Sequence, residues 1–249
     1  MDNRQDALQA SETGNERSLV THAVLVGLTP LIPVPVLDDL VKNYFRKRLV
    51  RSLAASNGRS LSEEDLSALV SEKEGGFLRG CLLAVIVYPL KAVFRKIFYF
   101  LEWKRAVDLT SRTYHYGYLV NYAMKRRDDG RSLLDLRRAA DVSAAIQAVC
   151  LEAPIKPVES AIAGTFRQSR RVLRGAANLL GASLRGVAGR RRAEQVAEAI
   201  EQVEPEEERE IEPVVAGMQS SIAAIPEDHF SRLRAQLDAR LGLSQNRER

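Results

Sequence analysis

Leu19–Leu37, LVTHAVLVGLTPLIPVPVL, constrains this chain most: nineteen residues without a formal charge when His22 is neutral, broken by Pro30, Pro33 and Pro35 and closed by Asp38-Asp39. An apolar run of this length approaches the roughly 20 residues that a spanning helix needs. The prolines argue against one straight span, because each lacks a backbone donor and turns the residue before it away from helix. The run reads as a short helix over 18–28, a proline turn, and a second helix starting near Val36. At about 1.5 Å per residue the first helix reaches only about 16 Å, roughly half a hydrocarbon core. That is the shape of a re-entrant or buried hairpin, with Leu25, Leu28, Pro30, Leu31, Ile32, Pro33 and Pro35 as the candidate membrane-inserting turn.

The rest of the chain reads as helix and breaker. Leu37, Leu40, Val41 and Tyr44 recur at helical spacing, followed by Lys42, Arg46, Lys47, Arg48 and Arg51 without an acid, and Asn57-Gly58 stops the element. Ser62-Glu63-Glu64-Asp65 has the composition of a helix start, with Leu66, Leu69 and Val70 turned inward. A second apolar element, Gly80–Leu90, is too short to span a bilayer. Ten of the fifteen aromatic residues lie between Tyr88 and Tyr122, which makes that region either a core or an interface belt. Asp128-Asp129-Gly130 breaks the chain, Ser132 opens a helix to about Glu152, and Pro154 and Pro157 end it.

The sharpest pattern follows. From Ser160 to Ala193 there are eight arginines and no acid. On one continuous helix Arg167, Arg170, Arg171, Arg174, Arg185 and Arg192 fall in a stripe about 100° wide, with Ile162, Phe166, Val172, Leu173, Ala176, Leu179, Leu180, Leu184 and Val187 opposite. Charge then reverses: Glu194–Glu212 holds nine glutamates against Arg209 alone. This stretch reads as a solvated helix passing into an acidic linker over 204–225. A last helix starts near Pro226, with Phe230, Leu233, Leu237 and Leu241 as a docking stripe for the domain or a partner, and Gly242 as its stop.

Catalytic, cofactor and metal patterns are missing from the sequence. His22, His115 and His229 have no ligand spacing, and neither a phosphate loop nor a nucleophile elbow occurs. Cys81 and Cys150 sit in apolar surroundings and read as buried, reduced thiols of a cytoplasmic setting. The polar, acid-rich residues 1–17 read as a loose tail and lack the basic start of a secretory signal. Asp38-Asp39 reads as a helix-start pair, its two carboxylates set too far apart around the helix for shared acid–base work. The net charge of +5 fits an anionic partner. An arginine face that excludes acids suits lipid headgroups better than nucleic acid, since no nucleic-acid module accompanies it.

The segment GLTPLIPVPVLDDLVKNYFRKRLVRSLAASNGRSLSEEDLSAL resembles the hydrophobic domain of unknown function of YcjF-type bacterial inner-membrane proteins, a domain also found attached to Era-like GTPase domains. The likeness covers roughly residues 18–125. An apolar helix leads to the Pro33/Pro35 turn, then Asp38 or Asp39, a helix closing through Leu53-Ala54 to Gly58, a Ser/Glu-started helix, and the glycine-bearing Gly75–Leu90. Val36 stands where that family has a small residue. The resemblance implies membrane association and helical architecture, without an activity.

The expectation is an all-α protein: a tail over 1–17, a helical apolar-hairpin domain over 18–152, a basic amphipathic segment over 153–203, the linker, and a docking helix over 226–249. Its expected role is that of a non-enzymatic scaffold or adaptor at the cytoplasmic face of a bacterial membrane. The alternative is a soluble helical interaction module whose apolar hairpin is simply its core. It would bind a protein partner through its C-terminal helices.

Overall fold

The computed structural model describes residues 2–32, 34, 37–71, 95–128, 131–154, 156–187 and 193–243. The Gly80–Leu90 element, Cys81, Pro33, Pro35 and Arg192 lie outside them. The described chain is all-α, and its one extended pairing is a two-residue hairpin in which Arg127 faces Ser132 and Asp128 faces Arg131.

Helix α1 (Asp2–Leu28) is the centre of the bundle, so the expected tail over 1–17 is instead part of a 27-residue helix. Its apolar run has no helical stripe because every side is covered: Val20, Ala23, Val24, Leu25, Val26 and Leu28 are all fully buried. Helices α2 (Asp38–Ser56), α4 (Arg95–Lys125), α8 (Arg170–Arg185) and α10 (Glu204–Ala223) pack around it. Two glycines set the closest approaches. At Gly27 an added Cβ would lie 1.7 Å from Thr110 Oγ1, and on α4 a Cβ at Gly117 would meet Leu19 at 2.3 Å.

Of the proline turn, the described part begins at Pro30. Thr29–Leu31 make one 3₁₀ turn with Pro30 at its start, and the Ile32 amide donates to Thr29 O at 3.2 Å. Helix α2 begins at Asp38, two residues later than expected, and closes at Gly58, whose φ of +65° is the left-handed conformation a C-terminal stop requires. Helix α3 (Glu63–Val70) has Ser62 as its cap, its hydroxyl accepting from the Asp65 amide at 3.0 Å, and buries Leu66, Leu69 and Val70.

Beyond the hairpin come α5 (Leu133–Leu136) and α6 (Ala139–Glu152), two helices where one was expected. The basic segment is also two: α7 (Lys156–Gln168) and α8, separated by a turn at Ser169. After α9 (Ala193–Glu201) comes the largest departure. The expected linker over 204–225 is helix α10, packed on α1, α7, α8 and α9. Ile211, Val214, Val215, Met218 and Ile222 are buried along one side of it. That apolar burial outweighs the exposed Pro213 inside the helix, which removes one backbone hydrogen bond. Helix α11 (Glu227–Arg240) buries Phe230, Leu233 and Leu237 against α4 and α6 and stops at Gly242, at φ +65°. Its stripe is covered by the protein's own helices.

Candidate anion-binding face on α7 and α8

The described members of the proposed inserting turn lie inside the bundle: Leu25 and Leu28 are fully buried, Ile32 is buried, and Pro30 and Leu31 are half-buried. None of the described helices is long and apolar enough to cross a membrane. The aromatic segment belongs largely to the core. Trp103, Tyr114 and Tyr116 are buried, while Phe100 and Leu101 at the start of α4 are exposed. Asp39 pairs with Lys42 at 3.6 Å in the first turn of α2. Cys150 is a free thiol, and burial pushes it up to about 12, which makes it a poor nucleophile.

The arginines take the opposite position. Arg167, Arg170, Arg171, Arg174 and Arg185 are all exposed, and the break at Ser169 does not scatter them. The pattern survives because α7 and α8 keep their apolar residues, Ile162, Phe166, Leu173, Ala176, Leu180 and Leu184, on the bundle side. The acidic helices do not cover this face. Helices α9 and α10 pack on α8, yet the five guanidinium side chains remain open to solvent.

A groove runs along the first turns of α8, lined by Arg170, Arg171, Arg174, Gly175 and Asn178. Two contacts shape it. Arg170 lies over the Trp103 ring, 5.8 Å from its centroid, and Trp103 is itself held edge-on by Phe166 at 6.4 Å. From α10 the Glu210 carboxylate comes so close to Gly175 that an added Cβ would sit 1.8 Å from Oε1. Glycine at 175 is therefore what allows the Glu210 side chain of α10 to pack against α8. Helix α8 starts without a side-chain cap and without an acid in its first turn. Cations at the positive end of a helix oppose its dipole, so this placement does not serve helix stability.

One titratable cluster escaped the sequence reading. His115 on α4 and His229 on α11, 114 residues apart, bring their Nε2 atoms to 3.0 Å in the interior. His115 Nδ1 lies 2.8 Å from Ser111 O, an acceptor, so Nδ1 carries the proton and Nε2 is a lone pair. His229 Nε2–H then donates to it. Burial lowers both imidazoles, His115 to about 4, and His22 on α1 is likewise lowered to about 4. Neutral, buried and paired, His115 and His229 fasten α11 to α4. Among the described residues no three His, Cys, Asp or Glu side chains gather as a metal set. The two histidines lie 114 positions apart on different helices, so no spacing in the chain signalled the pair.

Comparison with protein-family models, curated proteins and solved structures gives no match to this chain.

Proposed function

We propose that this chain is a non-enzymatic helical scaffold or adaptor that attaches to an anionic membrane surface, at the cytoplasmic face of a bacterial membrane, through the arginine face of α7 and α8. The supporting observation is the exposure of Arg167, Arg170, Arg171, Arg174 and Arg185 along two helices whose sequence from Ser160 to Ala193 holds no acid. Near an anionic leaflet each such cation contributes about 1 kcal/mol of attraction, an effect lost as salt shortens the screening length. Attachment is drawn through the arginines, since Leu25, Leu28 and Ile32 are buried against the protein's own helices.

That same burial favours a second reading, a soluble interaction module that meets an acidic protein partner. Fractionation of the expressed protein separates the two. Release from the membrane pellet by high salt is the expected result. Retention through salt and alkaline carbonate would mean that the proline turn inserts in lipid. Recovery in the soluble fraction, with no binding to phosphatidylglycerol vesicles at low salt, would overturn membrane attachment and leave the module.

A further inference from the structure

Among the described residues three large apolar side chains stand exposed: Phe100, Leu101 and Leu151. A single case such as Leu151 is ordinary on a protein surface, whereas apolar neighbours that form a patch mark a contact. Phe100 and Leu101 are adjacent, 66% and 45% exposed, on the second turn of α4. Further along, the same helix turns inward, with Ala106, Thr110, Ser111 and Thr113 fully buried.

The surroundings of the pair are basic. Residues four apart share a helix side, so Lys104 stands one turn, about 5.4 Å, beyond Phe100, and Arg105 the same distance beyond Leu101. Both cations are exposed. The one acid among these six residues, Glu102, is half-buried, and Asp108 is held by Arg112 at 3.1 Å. Trp103, three residues after Phe100 and so beside it on the helix, is buried. Phe166 of α7 packs edge to face on it, with ring centroids 6.4 Å apart, and Arg170 of α8 lies over its ring at 5.8 Å. Trp103 thus joins the apolar pair to the arginine face, and Arg167, exposed, follows Phe166 directly.

An apolar pair one turn away from a row of cations has the layout of a helix end that dips into a bilayer boundary. The apolar side chains enter the acyl region while Lys and Arg stems reach back to the headgroups. An acidic protein partner would match the cations but would need a separate apolar pocket for Phe100. An anionic leaflet supplies both layers at once.

We propose that Phe100 and Leu101 insert shallowly into an anionic bilayer, and that Lys104 with the arginine face of α7 and α8 holds the protein there. The inference rests on the reading that the arginine face meets an anionic membrane, and it adds the apolar contact which that reading lacks. The inserting residues are then not Leu25, Leu28 and Ile32, which are buried. Two side chains are too small an anchor without the charges, so high salt still releases the protein.

The test uses the full-length protein and vesicles of phosphatidylcholine with phosphatidylglycerol in a salt series. Phe100→Ser/Leu101→Ser, at exposed positions, should keep the fold and weaken binding about tenfold or more, because part of two apolar side chains stays in water. Its salt dependence should match the wild type, since no charge is lost. Arg167→Gln/Arg171→Gln should instead weaken binding at low salt and flatten the salt dependence. Phe100→Trp reads depth directly. Trp103, the chain's single tryptophan, is buried and sets the baseline. Phosphatidylcholine brominated on its acyl chains should quench the emission of Phe100→Trp well beyond that of the wild type.

Wild-type affinity in Phe100→Ser/Leu101→Ser, with weaker binding in the arginine variant, would overturn insertion and leave arginine attachment standing. Equal quenching of Phe100→Trp and the wild type, both vesicle-bound, would do the same. Absence of wild-type binding at low salt would overturn both readings. If the protein self-associates and the serine pair abolishes that association without altering lipid binding, the patch is a contact between copies and insertion is overturned. Should the serine variant lose helicity, the quenching measurement decides.

Discussion

Helices α1 and α8 are both rich in small and apolar residues, yet they occupy opposite roles. Along α1 the ten residues from Leu19 to Leu28 show no favoured side, and nearly all of them are buried. Along α8, Leu173, Ala176, Ala177, Leu180 and Leu184 are buried while Arg170, Arg171, Arg174 and Arg185 are exposed. A run without periodicity belongs to a helix surrounded by its neighbours, and a strongly periodic one to a helix at the boundary. An uncharged run like the first resembles a membrane segment because both environments exclude water on all sides. What separates them is the presence of other helices to supply the cover.

The comparison can be broken most severely at its centre. Gly27→Leu would drive a side chain into Thr110 and the Ala106 carbonyl, and a loss of about 3 kcal/mol or more is expected in urea unfolding. Leu25→Ala, which empties space with packing on every side, should cost about 4–5 kcal/mol at the upper limit if the site cannot collapse. Leu180→Ala on α8 belongs nearer the lower end, about 2–3 kcal/mol, because a boundary helix can move inward. Equal costs at Leu25 and Leu180 would deny that the two helices differ in confinement.

Acid sharpens the comparison next. His22 and His115 are lowered from the ordinary 6.5 to about 4 by burial, so the unfolded chain takes up protons first as pH falls. The stability they give is complete above about pH 6.5 and is lost progressively as pH falls through about 4. By about pH 5.5 the loss should be about 1 kcal/mol for each histidine, measured by denaturant titration at several pH values. His115→Gln should flatten part of that slope, and an unchanged slope would show that the α4–α11 pair does not titrate on unfolding. The smallest effect belongs to the arginine face. Arg171→Gln should alter stability by no more than about 0.5 kcal/mol in the same assay, which would separate its role from that of the core.

Much of the fold is legible in the sequence, for reasons that differ by element. The caps and stops at Ser62, Gly58 and Gly242 depend on one or two residues acting locally, and each is found where the chain places it. The stripe of α11 and the arginine face depend on periodicity and survive the unforeseen break at Ser169. Helix α10 was illegible as structure because Glu206-Glu207-Glu208 and its prolines outweighed a quieter signal. Ile211, Val214, Val215, Met218 and Ile222 repeat at the spacing of a buried helical face. The surroundings of the arginines have a different cause: Arg170 is plain in the sequence, but Trp103 comes beneath it only through tertiary packing. The His115–His229 contact is likewise a product of the assembled bundle.

The ion pair between Arg17 on α1 and Glu212 on α10, at 2.6 Å, joins residues 195 positions apart. Translation proceeds at about 5–20 residues per second, so roughly 10–40 s separate the synthesis of these two groups. During that interval the apolar α1 has α2 and α4 to lean on but lacks the helices that complete its enclosure. The nascent chain is therefore exposed to aggregation and to chaperone capture through its central helix, and its final closure waits on the acidic one.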